Sequence, residues 1–378
     1  MVLGSDARRG WRLALVALAA GVLLTAGGAA VVRTLADRGP QRPAPDASAT
    51  GATPTPTPTP TPSPAPTGPP PGAAAITGPL NLLLVGVDTR VSDPAWEPHS
   101  DAVLVLHVPR GLDRAYLFSL PRDLLVDIPA FPRADYRGGR TKLTHAMAYG
   151  SRVPGRPRNP DPAQGYDLLR STVSGYTGLR IDAGAVLTFG GFDRLVDTLG
   201  GVDLRIDQRV VSQHRRPDGT HRAPKPGGGG YVGPQMVYEP GVRHLNGWQA
   251  LDYARQRYMS GGDYARQRHQ QQLIKALVTK ILDEDLARDP ARVEQVVAAL
   301  GDTLIYAGGP RIVDVAYALG GLDPDRLVLV GLPGASVGRG GGYRGEQLTQ
   351  VGRGFLPELR AGRADAYLAA HPELRQES

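Results

Sequence analysis

Two aspartates lie beside apolar segments near the start of the folded part of the sequence. Asp88 follows the run 81–87, and Arg90 comes two residues later. Asp101 directly precedes a second run, 102–108. If the two runs form adjacent strands, these carboxylates could converge on one hard cation with oxygen ligands, most simply Mg²⁺. An aspartate at a strand end is more often a turn or capping residue, and that alternative stays open here.

A single arginine, Arg122, follows a third strand-like run at 116–120, within the sequence Pro-Arg-Asp. An arginine in this position could clamp a phosphate or form an ion pair at the surface. These residues alone favour the ion pair.

A stronger basic cluster lies at the junction of two predicted helices. Arg255 and Arg257 end the first helix. The second helix carries Arg266 and Gln270, whose i, i+4 spacing puts both side chains on one face. Guanidinium groups beside an amide suit a pyrophosphate, because it can accept several charge-assisted hydrogen bonds. A solvated basic face explains these residues equally well when they are taken alone.

Several kinds of active site are excluded by the residues present. The sequence has no cysteine, so thiol catalysis and thiolate metal sites are ruled out. It also has no Walker A loop and no HExxH motif. Residues 334–338 fit the pattern G-x-S-x-G, but a nucleophile elbow needs a helix directly after it. A glycine-rich loop follows at 339–342, so we do not expect Ser336 to be a hydrolase nucleophile.

The N-terminal residues predict a membrane anchor and a spacer. The apolar run 13–32 follows a short basic tail, 1–12. At roughly 20 residues the run can cross the membrane as one helix, with the tail in the cytoplasm. A cleaved signal peptide is the alternative. Residues 33–78 contain a Thr-Pro repeat typical of an extended spacer, so residues 79–378 are predicted to form one extracytoplasmic domain.

The charge balance predicts an anionic partner. The net charge is +7 and the isoelectric point is about 9.7, with only four lysines among 43 basic residues. Because the domain is predicted to be exported, nucleic acid is disfavoured. Phosphorylated lipids or wall polymers are the expected anions.

Apolar patterns in the domain predict strands mixed with helices. Strands are predicted at 81–87, 102–108, 116–120, 124–128, 185–189, 202–206 and 326–330, and helices at 141–149, 167–174, 192–199, 246–257 and 263–282. Residues 207–235, rich in Gly, Pro and Arg, predict a long loop or flap. This mixture is typical of an α/β or α+β sandwich.

Taken together and in order, seven stretches resemble the LytR-CpsA-Psr family. They are NLLLVGVDTR (81–90), SD (100–101), SLPRDLLVDIP (119–129), TKLTHAMAYG (141–150), TFGGFDRLVDTLGGVDL (188–204), LNGWQALDYARQR (245–257) and GDYARQRHQQQLIKAL (262–277). Each motif is modest, but seven in the right order are hard to attribute to chance. The resemblance implies an α/β fold, a three-layer-like sandwich in which helices flank a central mixed β-sheet, preceded by a single N-terminal transmembrane helix.

The resemblance also implies an activity. Family members transfer a glycopolymer phosphate from a polyprenyl pyrophosphate carrier to a peptidoglycan sugar hydroxyl, with Mg²⁺ (or Mn²⁺) as cofactor. They hold the polyprenyl chain in a hydrophobic cavity. The implied partners are the lipid-linked glycan, peptidoglycan and the cytoplasmic membrane, without nucleic acid.

Site residues follow from the same resemblance, position by position. Asp88 and Asp101 match the metal-associated aspartates, and with Arg90 and Arg122 they would form the catalytic centre. The residues that would bind the pyrophosphate are Arg90, Arg122, Lys142, Arg255, Arg257, Arg266 and Gln270.

Three positions depart from the family pattern. His99 stands where an arginine is usual, Thr188 replaces an acidic residue, and His269 stands where many relatives have arginine. These changes leave open a non-catalytic protein that binds polyprenyl phosphate or wall polymer in the same pocket. A transcriptional regulator is disfavoured by the export signal.

Overall fold

A computed structural model of the protein describes residues 72–88, 96–338 and 340–376. The predicted tail (1–12), the predicted transmembrane helix (13–32), most of the predicted spacer and Arg90 lie outside these described residues. In the part of the chain that is described, no helix has the length and apolarity needed to cross a bilayer.

Strands and helices alternate along the described residues. The strands are β1 (Leu80–Asp88), β2 (His99–Val108), β3 (Ala115–Ser119), β4 (Leu125–Ile128), β5 (Gly139–Lys142), β6 (Ala183–Thr188), β7 (Val202–Ile206), β8 (Val210–Val211), β9 (Ala223–Pro224), β10 (Tyr231–Val232), β11 (Val237–Tyr238), β12 (Gly241–Leu245), β13 (Leu304–Gly308), β14 (Leu327–Val330), β15 (Gly334–Val337) and β16 (Gly345–Leu348). The helices are α1 (Thr144–Gly150), α2 (Pro162–Thr177), α3 (Phe189–Thr198), α4 (Gly247–Arg255), α5 (Gly262–Asp283), α6 (Pro290–Leu300), α7 (Ile312–Leu319), α8 (Gln350–Arg360) and α9 (Ala364–Ala370).

Six of these strands form a mixed central sheet in the order β13-β6-β1-β2-β3-β14. β1 runs parallel to β6 and antiparallel to β2, while β3 runs antiparallel to β2 and parallel to β14. The carboxyl ends of β1, β3, β6 and β14 therefore meet at one edge, where the amino end of β2 also lies. In open α/β sheets, ligands bind in the crevice outside such an edge.

Helices cover both faces of this sheet, and the sheet separates the hydrophobic core into two parts. Along β1, Leu82 and Leu84 face one core, whereas Leu83 and Val85 face the other. Helices α3 to α7 contribute to the first core, and α1, α2, α8 and α9 contribute to the second. Burial on both faces explains why the strands read as continuous apolar runs. The expected sandwich, with helices on both sides of a mixed sheet, is confirmed.

Local boundaries differ from the sequence prediction where pairing or capping decides them. Strand β4 pairs with β5 in a separate two-stranded ribbon, outside the central sheet. Since Thr141 and Lys142 belong to that ribbon, helix α1 begins only at Thr144. Helix α2 begins earlier than predicted, because the Asp161 side chain accepts from two amides of its first turn and Pro162 suits the first helical position.

The flap, residues 207–235, is folded rather than a bare loop. Arg222 is buried within it and donates to the carbonyl oxygens of Gln213 at 2.9 Å and of Tyr231 and Gly233 at 3.1 Å each. Its base is joined to α4 through the buried Asp252, which accepts from Ser212 and from nearby tyrosine and glutamine side chains. The flap is therefore held in one position beside α4.

A matched pair of glycine substitutions tests the packing of the sheet. A Cβ on Gly184 in β6 would overlap the Tyr166 hydroxyl and the Leu83 carbonyl, whereas a Cβ on Gly175 in α2 would meet nothing within 4 Å. We expect Gly184→Ala to lower the free energy of unfolding by about 3 kcal/mol through overpacking. Gly175→Ala should raise it by about 0.5 kcal/mol through helix propensity. Chemical denaturation of the full chain in detergent measures both; equal stabilities would contradict the packing described.

Candidate active site

A β-bulge shapes the edge of the sheet where β1 ends and β2 begins. Gly86 lies opposite Ala102, but Val87 lies opposite Ser100, so Asp101 is the extra residue of the bulge. Asp88 then lies opposite His99. The backbones of Asp88 and Asp101 therefore meet at one edge on adjacent strands, as the sequence predicts. The Asp88 side chain lies outside the described residues.

The Asp101 carboxylate is buried and paired with Arg122. Its residue is only 5% exposed, and its Oδ1 accepts from Arg122 Nη1. Arg122 lies in the turn after β3 with about a third of its side chain exposed, and its carbonyl accepts from the Thr144 amide at 2.9 Å. A buried carboxylate needs such a partner, because leaving it unpaired costs several kcal/mol.

A second ion pair lies one residue further along this turn. Lys142 Nζ is 3.2 Å from Asp123 Oδ2, which also accepts from the Tyr343 hydroxyl at 3.0 Å. The Lys142 ammonium lies 4.8 Å from the centre of the Tyr343 ring. Lys142 is therefore held beside Arg122 by a carboxylate and an aromatic face together.

Helix α5 brings the third cation, Arg266, which is 1% exposed. Its Nη2 is 2.6 Å from Asp263 Oδ1. Burial lowers the pKa of Arg266, and the positive charge of the nearby Arg122 lowers it further. The carboxylates of Asp263 and Asp101 raise it and so oppose this shift. Arg266 Nε and Gln270 Nε2, one turn later, are buried donors with no hydrogen-bond acceptor among the described residues. Buried donors of this kind are available to an anionic ligand.

Arg255 and Arg257 form a second cationic group at the same edge. The Arg255 guanidinium lies 4.3 Å from the centre of the Phe189 ring. Phe189 directly follows Thr188, the residue of β6 that pairs with Val87. Arg257 lies over the ring of its neighbour Tyr258, at 5.5 Å. Burial and then Arg255 lower the pKa of the flap histidine His214 to about 4. The flap side of the site is therefore rich in positive charge.

Each of the three departures from the family pattern has a local partner. The ring of His99 lies near those of Trp96 and His145. The Thr188 hydroxyl caps helix α3 by accepting from its first turn. His269 is fully buried, donates from Nε2 to the Asp207 carboxylate at 2.9 Å, and stacks on a tyrosine ring. None of these three residues takes part in the ion pairs of Asp101, Asp123 and Asp263 described above.

Three residues that the sequence patterns do not single out also lie in the site: Tyr264, Tyr343 and Glu346. Tyr264 donates to Glu346 Oε2 at 2.9 Å, and the Glu346 amide donates to the carbonyl of Asp123 at 2.8 Å. Glu346 lies on strand β16, and Tyr343 lies just before it, in the loop that joins β15 to β16. Ser336 lies within strand β15 and pairs with Glu346, and among the described residues no α-helix directly follows it, as the rejection of a nucleophile elbow required. Tyr264 lies within the stretch 262–277 without a role assigned to it there, and no short motif marks Tyr343 or Glu346, so only the fold brings the three together.

The donor set at this edge fits a hard cation with few protein ligands. Among the described side chains, no group of three or more His, Asp or Glu is placed to hold a metal. Mg²⁺ is commonly bound through one or two carboxylates, with waters and phosphate oxygens completing its six ligands. The buried carboxylate of Asp101 suits that chemistry, and the register brings the Asp88 backbone beside it.

A cleft of about 490 Å³ lies between helix α5 and the ribbon β7–β12. Its apolar lining includes Leu204, Val242 and Ala276, with lysines 275 and 280 and acidic residues among the other lining groups. The mixed lining does not identify it as a lipid site, so the cavity for a polyprenyl chain stays a prediction.

Comparison with curated proteins gives relatives that are similar in sequence to part of this chain. Biofilm regulatory protein A of Streptococcus mutans is 30% identical over 55% of this chain and 45% of its own length. The polyisoprenyl-teichoic acid–peptidoglycan teichoic acid transferase TagU of Enterococcus faecalis is 28% identical over 60% of each chain. The chain thus spans about half the length of the curated relatives it matches.

A solved structure shows the same fold. The crystal structure of TagV from B. subtilis aligns with a TM-score of 0.56 over 77% of this chain and 98% of that one, at 18% identity. The model of the LytR_cpsA_psr family matches residues 59–306, which is well over half of the sequence. This chain therefore belongs to the LytR_cpsA_psr family.

Proposed function

We propose that the protein transfers a glycopolymer phosphate from a polyprenyl pyrophosphate carrier to a sugar hydroxyl of peptidoglycan. The observation that carries this proposal is the convergence of Arg122, Lys142 and Arg266, from three different elements, beside the buried Asp101. The name of the Enterococcus faecalis relative, a teichoic acid transferase with a polyisoprenyl donor and a peptidoglycan acceptor, supports the same reaction.

The arrangement suits phosphoryl transfer because that reaction depends on positioning and charge neutralisation. A pyrophosphate brings several negative oxygens, and planar guanidinium groups can bind them in pairs. Arg122 and Lys142 keep roughly a quarter to a third of their side chains exposed, so they can reach a ligand at the edge. The buried donors of Arg266 and Gln270 would define the inner wall of the site.

We also propose that Asp88 and Asp101 hold Mg²⁺ (or Mn²⁺) at this edge. When bound, the ion would neutralise charge on the pyrophosphate as it builds up on the leaving group. Asp101 would then serve both the ion and Arg122, which ties the phosphate-binding arginine to the metal site.

We expect the full chain in detergent to release polyprenyl phosphate when it is given a polyprenyl-pyrophosphate glycan, a peptidoglycan acceptor and Mg²⁺. Asp101→Asn should lower the rate by about two orders of magnitude or more, because it removes a charge that orients Arg122 and the ion. Asp203→Asn, at an exposed ion pair on β7, serves as the matched control and should leave the rate unchanged. Tight lipid binding without turnover would instead identify a non-catalytic binding protein.

Replacing Arg122 tests donor binding directly, without a requirement for turnover. Arg122→Ala should weaken binding of the lipid-linked donor about 10- to 100-fold, the value of one or two charge-assisted hydrogen bonds. Arg133→Ala removes an arginine from an exposed pair with Asp167 and should leave donor affinity unchanged. The measurement is titration of a fluorescent polyprenyl pyrophosphate; equal affinities for the two variants would contradict this assignment of the phosphate site.

We further propose a single-pass membrane protein with its N-terminus inside and the folded domain outside the cell. The apolar run 13–32, with Arg8, Arg9 and Arg12 before it and Arg33 after it, supports this orientation. An anchor would keep the domain beside a donor that is embedded in the membrane.

Protease added to wall-stripped cells should digest the folded domain and leave an N-terminal epitope tag protected inside. The basic tail favours this orientation because positive charge is retained in the cytoplasm. Protection of the domain would overturn the proposed location. A mature chain lacking roughly its first 30 residues would show a cleaved signal peptide in place of the anchor.

A further inference from the structure

The hairpin β15–β16 packs directly on the turn that carries Arg122, although it lies beyond the residues that the family model matches. The Glu346 amide donates to the Asp123 carbonyl at 2.8 Å, and Glu346 forms a β-bridge with Leu124. The approach is so close that a Cβ on Gly345, at φ +145°, would lie 2.6 Å from the Asp123 carbonyl oxygen. Glu346 is therefore fixed beside the phosphate site by the backbone itself.

The Glu346 side chain is oriented by helix α5. Its Oε2 accepts from the Tyr264 hydroxyl at 2.9 Å, and Tyr264 lies two residues before Arg266. Gly334 on β15 makes room for this hydrogen bond, since a Cβ there would lie 2.5 Å from the Tyr264 oxygen. One carboxylate oxygen is thus held in place, and Oε1 has the lone pairs to accept a proton.

Glu346 differs from the other carboxylates of the site in its charge partners. Asp101 is paired with Arg122; Asp123 and Asp263 are each paired with a cation as well, at 3.2 and 2.6 Å. Within the described part of the chain, no Lys, Arg or His nitrogen lies within 4.0 Å of the Glu346 carboxylate. A carboxylate bound to a cation is a weaker base, so Glu346 is the member of this cluster best suited to take a proton.

We propose that Glu346 is the general base of the transfer reaction. This inference rests on the proposed function. The acceptor sugar hydroxyl gives its proton to a Glu346 carboxylate oxygen while its own oxygen attacks the glycan-linked phosphorus. The bond from that phosphorus to the bridging oxygen breaks, and polyprenyl phosphate leaves with the electron pair. A phosphodiester to the glycopolymer forms, and the proton on Glu346 is later lost to water.

The surroundings of Glu346 set its basicity. Burial raises the pKa of Glu346, Asp263 and Asp123 raise it further, and the Tyr264 hydrogen bond and Lys142 oppose them. Tyr343, whose hydroxyl donates to Asp123, faces the same cluster. A base must be deprotonated, so turnover should fall as the pH drops through this raised pKa.

The test is the pH dependence of kcat for the full chain with a saturating lipid-linked donor and peptidoglycan acceptor. Glu346→Gln should lower kcat by roughly 10²- to 10⁴-fold and remove the acidic limb, while donor affinity stays unchanged. Tyr264→Phe removes a hydrogen bond that lowers the Glu346 pKa, so its acidic limb should move to higher pH. Glu294→Gln, at an exposed position of α6, is the matched control and should keep the wild-type profile.

A shortened carboxylate covers the case in which Glu346→Gln does not fold. Glu346→Asp keeps the charge and should retain an acidic limb with a reduced kcat. Wild-type kcat and an unshifted limb in the Gln variant, or in the Asp variant if the Gln variant does not fold, would overturn the role of Glu346. The proposed transfer would still stand if Asp101→Asn is inactive in the same assay. Absence of turnover in the wild-type chain would remove both proposals together.

Discussion

Burial of the Asp101 carboxylate is the constraint on which the site depends. A charge that is 5% exposed at the end of an apolar sheet requires a cation, and Arg122 supplies it. That ion pair holds the turn after β3 against the bulge in β2. The same turn then accepts from the amides of Thr144 and Glu346, which brings helix α1 and the hairpin β15–β16 to the edge.

The cations of the site are balanced by carboxylates before any ligand is present. Arg122, Lys142 and Arg266 come from three different elements, and each is paired with an aspartate. These pairs reduce the net positive charge at the edge where the strands end. The pyrophosphate of the proposed donor would therefore have to share or displace these carboxylate partners. Exchange of this kind favours ligands with several adjacent negative oxygens, since one oxygen cannot replace three ion pairs.

Arg255 and Arg257 add a second cationic group beside the flap. Burial lowers the pKa of His214 and of His221, and the positive charge of Arg255, which lies on the Phe189 ring, lowers both further. Arg222 and Asp252 hold this segment against α4 by buried hydrogen bonds. The two cationic groups thus border the same edge from opposite sides of β1, and the position of each is set by buried polar contacts.

The amino-acid sequence alone determined the layers and the residue types. Continuous apolar runs such as 81–87 indicate strands buried on both faces, and the family resemblance implied a central sheet flanked by helices. The order of motifs likewise predicted Arg122 and Lys142 as site residues. Tertiary structure decided the partners, because the bulge at Asp101 depends on strand register and the Tyr264–Glu346 hydrogen bond joins residues 82 apart in sequence. Such contacts exist only when long-range packing brings the groups within about 3 Å, a condition that local periodicity does not encode.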